Sequence, residues 1–393
     1  MKIKAYLYKL NDYPLIAIIS VIYIIHFFYS TNLVNNNELL SSFLSRTDKF
    51  LRAFEFLLFM IYFYLYKIDK KYLFYFMTFV FIFFIIKKFS NSHLSFHLFF
   101  IPLLLSQFIR RSKLCSILLI ISVISFSIVF IGYFYGLFKS DLYSRNGLIR
   151  YSLGFLHPNT LGFIVLTTSF LLFLRNQVVR IIDIVFVTVS IVFLYYVPRS
   201  MTPVFLLLLL LGFQISIYFY EAKFDALVSN KRIQNIIFYF LVLIVILTIF
   251  FTYFISFTNF GKNIFLDMPG SIWARFELGR VAYEKYGFSL FGTPIESVFP
   301  DPIRNITEYF VVDCAYFFIP INYGVVSFVL YIFMILTLLR KASFSGDYKL
   351  IFVLLLIVFS GVSEVYIFSP ILIPIFSCAF CSDEDIGCKL YCR

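Results

Sequence analysis

Residues 203–212 read Pro203-Val-Phe-Leu-Leu-Leu-Leu-Leu-Leu-Gly212, and this stretch decides the fold class. It has no charged residue, and it lacks the alternation of apolar and polar residues that a strand of a membrane barrel shows. Because a bilayer offers no water to backbone N–H and C=O groups, a segment of this kind must satisfy those groups within a helix. The stretch therefore predicts a transmembrane α-helix.

The rest of the chain repeats this pattern. Of its 393 residues, 61% are hydrophobic and 14% are charged, whereas a soluble domain has about 25% charged residues. We therefore predict an all-α, polytopic bundle that forms a single integral membrane domain over residues 1–393. About twelve spans are expected, with approximate cores at 13–30, 51–66, 72–86, 94–109, 114–136, 159–174, 181–197, 203–220, 236–256, 315–339, 350–363 and 365–380.

Lysine and arginine residues set the expected orientation. More than half of the 33 basic residues fall on one side if the N-terminus is cytoplasmic, and cytoplasmic segments have such an excess. We expect both termini in the cytoplasm, a cytoplasmic tail at 381–393, and a large extracytoplasmic loop at 257–310 between the ninth and tenth spans. Within that loop, residues 271–286 predict a short amphipathic helix. The net charge of +12 follows from the same bias, so we expect no nucleic-acid partner.

The cysteines and histidines do not predict a catalytic metal. His93 and His97 are four residues apart, but no third ligand stands beside them. Cys378 and Cys381 form a CxxC pair next to the predicted tail, where a zinc knuckle, palmitoylation and no role at all are all open interpretations. We expect neither a metal nor a cofactor at the outer face.

Polar groups gather at the predicted outer ends of the spans. An ionisable residue in a span costs roughly 2.5–3.5 kcal/mol, so each one calls for a reason. The candidates on this side are Arg145, Arg150, Arg199, Arg275, Arg280, His157, Asp313 and Glu364. Guanidinium groups bind phosphate oxygens in a bidentate manner, so the set predicts a phosphate or diphosphate site. The alternative is that single arginines only pair with carboxylates or lipid headgroups.

Several short segments of the chain form an ordered set of motifs. Those segments are Ser152-Leu-Gly-Phe-Leu-His-Pro-Asn-Thr-Leu-Gly162, Pro198-Arg-Ser-Met-Thr202, Ser271-Ile-Trp-Ala-Arg275 with Leu290-Phe-Gly292, Asp313-Cys-Ala-Tyr316 with Tyr323-Gly324, and Gly361-Val-Ser-Glu364. The set, over about residues 145–380, resembles the Wzy-type capsular and O-antigen repeat-unit polymerases. The first segment is similar to their Gly-Phe-x-His-Pro-Asn-x-x-Gly motif. Arg199 and Ser200 stand in the opposite order to the family's Ser-Arg-Thr turn, and Cys314 replaces the usual asparagine.

The resemblance implies a membrane glycosyltransferase, a polysaccharide polymerase at the outer face of the bacterial cytoplasmic membrane. It would move a growing glycan from undecaprenyl diphosphate to the terminal sugar of another lipid-linked repeat unit, with no cofactor. The implied partners are undecaprenyl-diphosphate-linked oligosaccharide, membrane lipid, a flippase and a chain-length regulator.

Roles for single residues follow from this reaction. The acceptor hydroxyl needs a general base, and His157, Asp313 and Glu364 are the candidates. The candidates for substrate binding are Arg145, Arg150, Asn159, Arg199, Arg275, Arg280 and Tyr316. His157 has an alternative role as a helix cap, with Pro158 fixing the first turn of the sixth span.

Two other functions compete with polymerisation. A glycan ligase would pass the chain to a different acceptor. A lipid-linked oligosaccharide flippase, or another transporter, should carry polar residues along a central path. Here the middles of most spans are apolar and the polar groups lie at one predicted face, which favours surface chemistry over transport.

Overall fold

The structure is a computed structural model. Apart from a few isolated positions, the residues that it describes are 12–35, 39–47, 109–138, 142–145, 148–176, 178–258, 272–296, 310–368 and 370–381. Within these ranges the chain is helical except for one antiparallel two-stranded hairpin and the connecting segments.

The elements follow one another in a simple order. They are α1 Asp12–Tyr29, α2 Asn32–Asn35, α3 Arg111–Phe134, β1 Leu142–Arg145, β2 Leu148–Tyr151, α4 Pro158–Arg175, α5 Ile181–Tyr196, α6 Met201–Ser229, α7 Lys231–Phe257, α8 Ile272–Tyr286, α9 Ala315–Asn322, α10 Gly324–Ser345, α11 Tyr348–Ser360 and α12 Ile373–Phe380. Two 3-10 turns, Val365–Phe368 and Pro370–Leu372, stand between α11 and α12.

The chain divides into two compact units. The first comprises Met1–Ile68, Leu98–Glu221 and Pro370–Arg393, and the second comprises Asp69–His97 and Ala222–Ser369. In the first unit α4 is the central helix, since 83% of its most apolar window is buried. In the second unit α7 is peripheral, since only 17% of its apolar window is buried and the rest is available to lipid.

Five helices of the described residues are long and apolar enough to cross a membrane, and they establish an all-α membrane protein. They are α3, α4, α6, α7 and α10. The first four coincide with the predicted fifth, sixth, eighth and ninth spans. The predicted first, seventh and eleventh spans correspond to shorter apolar helices. These are α1, whose apolar part is Leu15–Tyr29, α5 and α11.

Two predicted spans are not single helices. The tenth, 315–339, is divided between α9, which ends at Asn322, and α10, which begins at Gly324. Gly324 has a φ of 90°, which a residue within a continuous helix does not have. The twelfth, 365–380, is two 3-10 turns followed by the eight residues of α12. Pro370 contributes to this break, because proline lacks a backbone N–H and restricts the residue before it.

Some predictions concern residues that the structure does not describe. The predicted spans at 51–66, 72–86 and 94–109 lie almost entirely outside the described residues, as does the tail at 381–393. The helix expected at 271–286 is present as α8. Much of the remaining segment 257–310 is not described, so its extracytoplasmic loop, like the orientation of both termini, stays a prediction.

Candidate functional site

The Ser152–Gly162 motif of the first unit begins in a tight turn. Leu153 and Gly154 both have positive φ, 47° and 89°, and the Phe155 N–H donates to the Ser152 carbonyl at 3.0 Å. A Cβ added at Gly154 would lie 2.8 Å from the Cβ of Phe138, so glycine is required there. Phe155 then forms an isolated antiparallel bridge with Thr31, which anchors the turn.

His157 follows this turn and caps α4. Its Nδ1 accepts a hydrogen bond from the Asn159 N–H at 3.1 Å, and Pro158 is the first helical residue. His157 therefore has the cap geometry that the sequence left open as an alternative to catalysis. The Tyr143 ring packs edge-on against the imidazole with 4.8 Å between centroids, and its hydroxyl donates to the Leu156 carbonyl at 2.7 Å.

The cap limits what the imidazole of His157 can do chemically. Since Nδ1 is the acceptor, the proton of the neutral ring is on Nε2. A general base needs a nitrogen without a proton, whereas a protonated Nε2 donates. This geometry disfavours the predicted role of His157 as a general base.

Asn159 joins three segments of the first unit. Its Oδ1 accepts from the Arg150 guanidinium at 2.6 Å and from the Ser200 hydroxyl at 3.1 Å. Arg150 also donates through Nε to the Pro198 carbonyl at 2.9 Å. The start of α4, the strand β2 and the turn before α6 are thereby fixed together, and the guanidinium of Arg150 is largely committed to protein partners.

Close helix packing brings Ser200 to this position. A Cβ added at Gly162 would lie 2.6 Å from the Ser200 hydroxyl oxygen and 2.9 Å from Pro203. Only glycine lets the start of α6 approach α4 so closely. The sequence alone did not predict this contact of Ser200 with Gly162, although the glycine in the motif was an available signal.

Arg199 occupies this turn in an unfavourable conformation. Its φ is 49°, and a left-handed backbone costs a residue with a Cβ about 1–2 kcal/mol. Its Nη1 is buried and has no hydrogen-bond partner among the described residues. A buried donor left unsatisfied costs about 1–3 kcal/mol, and more when it is charged. Features of this kind concentrate where a ligand repays them.

We call Arg150, His157, Asn159, Arg199 and Ser200 the cap cluster. Four of these were predicted as site residues, and the structure places them on adjoining segments of the first unit. Arg145, also predicted, is the last residue of β1, and its Cα pairs with that of Leu148 in the hairpin.

The second unit has a different polar cluster around Arg275 on α8. Its Nη2 lies 3.0 Å from Oε1 of Glu364 and its Nε lies 3.8 Å from Oδ2 of Asp313. Its Nη1 donates to the Ser363 carbonyl. We call Arg275, Asp313 and Glu364 the carboxylate cluster. The sequence predicted these residues as parts of a site, but the sequence did not show that Arg275 would be ion-paired with both acids.

Tyr316, predicted to contact substrate, is fully buried in the second unit. Its hydroxyl donates to the Val358 carbonyl at 2.6 Å, and its own carbonyl accepts from Tyr253 at 2.6 Å. The structure thus gives Tyr316 a packing role between α9 and α11. Arg280, also predicted, has a side chain that is 38% exposed and pairs with Glu284 one helical turn away at 3.7 Å.

Two other motif segments of the second unit interlock. The Thr293 N–H donates to the Ile321 carbonyl at 2.7 Å, and the Val325 N–H donates to the Ser289 carbonyl at 2.9 Å. Gly292 and Gly324 both have positive φ, 93° and 90°, and a Cβ on either would collide with the backbone of the opposite segment. The paired glycines therefore hold the segment after α8 against the junction of α9 and α10.

Comparisons of the chain with protein-family models, with curated proteins and with solved structures find no match. In the cap cluster, Nη1 of Arg199 is a buried donor without a partner among the described residues, and in the carboxylate cluster a guanidinium holds the acidic groups in place.

Proposed function

We propose that this protein polymerises oligosaccharide repeat units carried on undecaprenyl diphosphate into capsular, exopolysaccharide or O-antigen chains. The reaction would take place at the outer face of the bacterial cytoplasmic membrane. The observation that carries the proposal is Arg199, whose buried Nη1 lacks a partner among the described residues although the backbone around it is fixed. The membrane-spanning helices support a substrate with a polyprenyl tail.

The cap cluster suits the diphosphate of such a substrate. The N-terminus of α4 contributes partial positive charge, and helix N-termini bind phosphate groups. Arg199 supplies a full positive charge, and His157 caps the same helix N-terminus through Nδ1. Arg150 and Asn159 hold these groups in place by their own hydrogen bonds. The cluster is thus built before a ligand arrives, which lowers the entropic cost of binding.

Negative charge develops on the diphosphate as the bond to the sugar breaks. Fixed donors that face this charge stabilise the transition state, and removal of one such donor typically costs about 10²–10³-fold in turnover. A guanidinium can provide this stabilisation without a divalent ion, and the sequence predicts no metal for this reaction. We thereby assign to Arg199 the stabilisation of the diphosphate leaving group.

The test is polymerisation in proteoliposomes that contain the purified protein. The substrate is the lipid-linked repeat unit extracted from cells that lack this protein. The wild type should produce a ladder of longer lipid-linked glycans. Arg199→Ala should lower the rate by about 100-fold or more, whereas Arg232→Ala, on the exposed first turn of α7, should match the wild type. A wild type that forms no ladder would refute the proposal.

Cells that lack the gene for this protein distinguish the three alternative functions by the glycans that they accumulate. A polymerase mutant should carry single repeat units exposed on the outer side of the membrane. Single units that stay on the cytoplasmic side would show a flippase, and long chains that remain on the lipid carrier would show a ligase. Either result would replace the present proposal.

A further inference from the structure

The two acids of the carboxylate cluster differ in exposure. The Glu364 side chain is 3% exposed and forms the closer ion pair with Arg275, at 3.0 Å. The Asp313 side chain is 30% exposed and its ion pair is longer, at 3.8 Å. Of these two carboxylates, Asp313 is therefore the one that a ligand from outside the protein can reach.

The backbone on both sides of the cluster is rigid. The Ala315 N–H donates to the Gly361 carbonyl at 2.9 Å, and the Glu364 N–H donates to the Ser360 carbonyl at 2.9 Å. Residues Val312 and Cys314, which flank Asp313, are buried. Asp313 thus projects from a backbone that is fixed at its neighbours, which is the condition for holding a reactive group in a productive geometry.

Arg275 is itself placed by close packing. On the same helix, a Cβ added at Gly279 would lie 2.5 Å from the ring of Phe317, so α8 lies directly against α9 at this point. Arg275 therefore has little freedom to move away from the acids. Its guanidinium reaches Glu364, Asp313 and the Ser363 carbonyl from one position.

We propose that Asp313 is the catalytic base for the acceptor sugar, and that Arg275 and Glu364 are positioning residues that orient it. The inference rests on the proposed function. In the step, the acceptor hydroxyl gives its proton to the Asp313 carboxylate, and its oxygen forms the new bond to the anomeric carbon. The bond from that carbon to the diphosphate breaks, and its electron pair leaves with undecaprenyl diphosphate. Asp313 later returns the proton to solvent.

Other groups around Asp313 are compatible with this role. Asp313 faces Arg275 from α8, shares that arginine with Glu364 from the segment after α11, and adjoins the Cys314 thiol. Burial raises the pKa of Cys314 to about 12, so this thiol stays protonated and uncharged at neutral pH and does not compete as a base. Among the described residues, Arg275 pairs with Asp313 and with Glu364, so these two charges act on Asp313 within the cluster.

The experiment measures pH–rate profiles of polymerisation for the wild type, Asp313→Asn and Glu364→Gln in proteoliposomes. Affinity for undecaprenyl diphosphate is measured in parallel, and melting temperatures check folding. A base must be ionised to act, so the wild-type rate should fall as the pH falls. Asp313→Asn should lower the rate by about 10²–10⁴-fold and abolish this pH dependence, with affinity for the lipid diphosphate unchanged.

Glu364→Gln should behave differently. It keeps an acceptor for Arg275 but removes a negative charge near Asp313, and loss of a like charge favours the ionised form of the remaining acid. The fall in rate should therefore persist and move to lower pH, with a loss of turnover of up to about 100-fold from misplacement. A structural defect alone would not move the profile in this direction.

The outcomes distinguish this inference from the proposed function. If the wild type forms no polymer, both fail. If the wild type is active and Asp313→Asn retains its rate and pH profile, only the assignment of the base fails. If Glu364→Gln abolishes the pH dependence while Asp313→Asn keeps it, Glu364 is the base and the proposal is overturned.

Discussion

Arg199 in the first unit and Arg275 in the second are the same residue type in opposite environments. Arg199 has a strained backbone and a buried Nη1 without a partner among the described residues. Arg275 lies within a regular helix, and its guanidinium is held by Glu364, Asp313 and a backbone carbonyl. An arginine with a buried N–H that no described residue accepts is suited to a ligand, whereas one with two acidic partners is suited to holding those acids in place.

This comparison changes the interpretation that the sequence alone supports. The sequence predicted that both arginines bind one phosphate anion. In the structure a bound anion at Arg275 would have to approach two carboxylates, and like charges at close range repel. Of the two arginines, we therefore assign the anion to Arg199, and we expect the Arg199 and Arg275 variants to lose different properties.

The largest effect should be the loss of stability in Arg275→Ala. Removal of one partner from a buried ion pair typically costs about 3–5 kcal/mol, because the other charge stays buried and unpaired. Thermal unfolding of the purified protein measures this loss. Arg199→Ala should keep the wild-type melting temperature, since it removes an unsatisfied buried donor. A larger loss for Arg199→Ala than for Arg275→Ala would reverse the comparison.

The second prediction concerns the glycine beneath the cap cluster. In Gly162→Ala the new Cβ would meet Ser200 and Pro203 at less than 3 Å, and overpacking of this kind costs about 1–3 kcal/mol. The turn that carries Arg199 would be displaced, so affinity for undecaprenyl diphosphate should fall together with stability. Gly212→Ala on α6 is the matched control, because nothing lies within 4 Å of its added Cβ. Equal affinities in these two variants would contradict the account.

The smallest effect should come from Arg280→Ala. Its side chain is 38% exposed and pairs with Glu284 on the same helix, and pairs of this kind contribute about 0.2–1 kcal/mol. We expect a change in melting temperature smaller than that of Arg275→Ala, and a lipid diphosphate affinity much closer to wild type than that of Arg199→Ala. A loss of affinity as large as that of Arg199→Ala would make Arg280 part of the anion site.

The sequence predicted the long helices well and the breaks poorly. Continuous apolar runs located all four of the helices α3, α4, α6 and α7, because a run of that length in a bilayer has one way to satisfy its backbone. The ends of α3 and α4 agree with the predicted cores more closely than the C-terminus of α6 and the N-terminus of α7, which continue beyond them. The sequence did not predict the division of the tenth span at Gly324. Gly324 packs against the backbone of Leu290 and Gly292, more than thirty residues earlier in the chain. Hydropathy carries no information about such a contact.

The candidate residues were predicted by type, but their partners were not. Arg150 contacts a carbonyl 48 positions away, and Arg275 contacts one 88 positions away. Contacts at this separation arise from packing of elements and leave no local pattern. For this reason His157, Asp313 and Glu364 were equal candidates for the base from the sequence alone. In the structure, the cap at His157 and the burial of Glu364 disfavour these two residues and leave Asp313.

The central claim is that Arg199 binds the diphosphate of the lipid carrier, and its most direct test is the affinity for undecaprenyl diphosphate in nanodiscs. A hydrogen bond to a charged group contributes about 1.5–3 kcal/mol, which is about a 10- to 150-fold change in Kd. Arg199→Ala should weaken binding by this factor. The Kd of Arg199→Lys should lie between those of the wild type and Arg199→Ala, because lysine keeps the charge without the bidentate fork. Arg232→Ala should bind as the wild type does. Wild-type affinity in a folded Arg199→Ala protein would contradict the account.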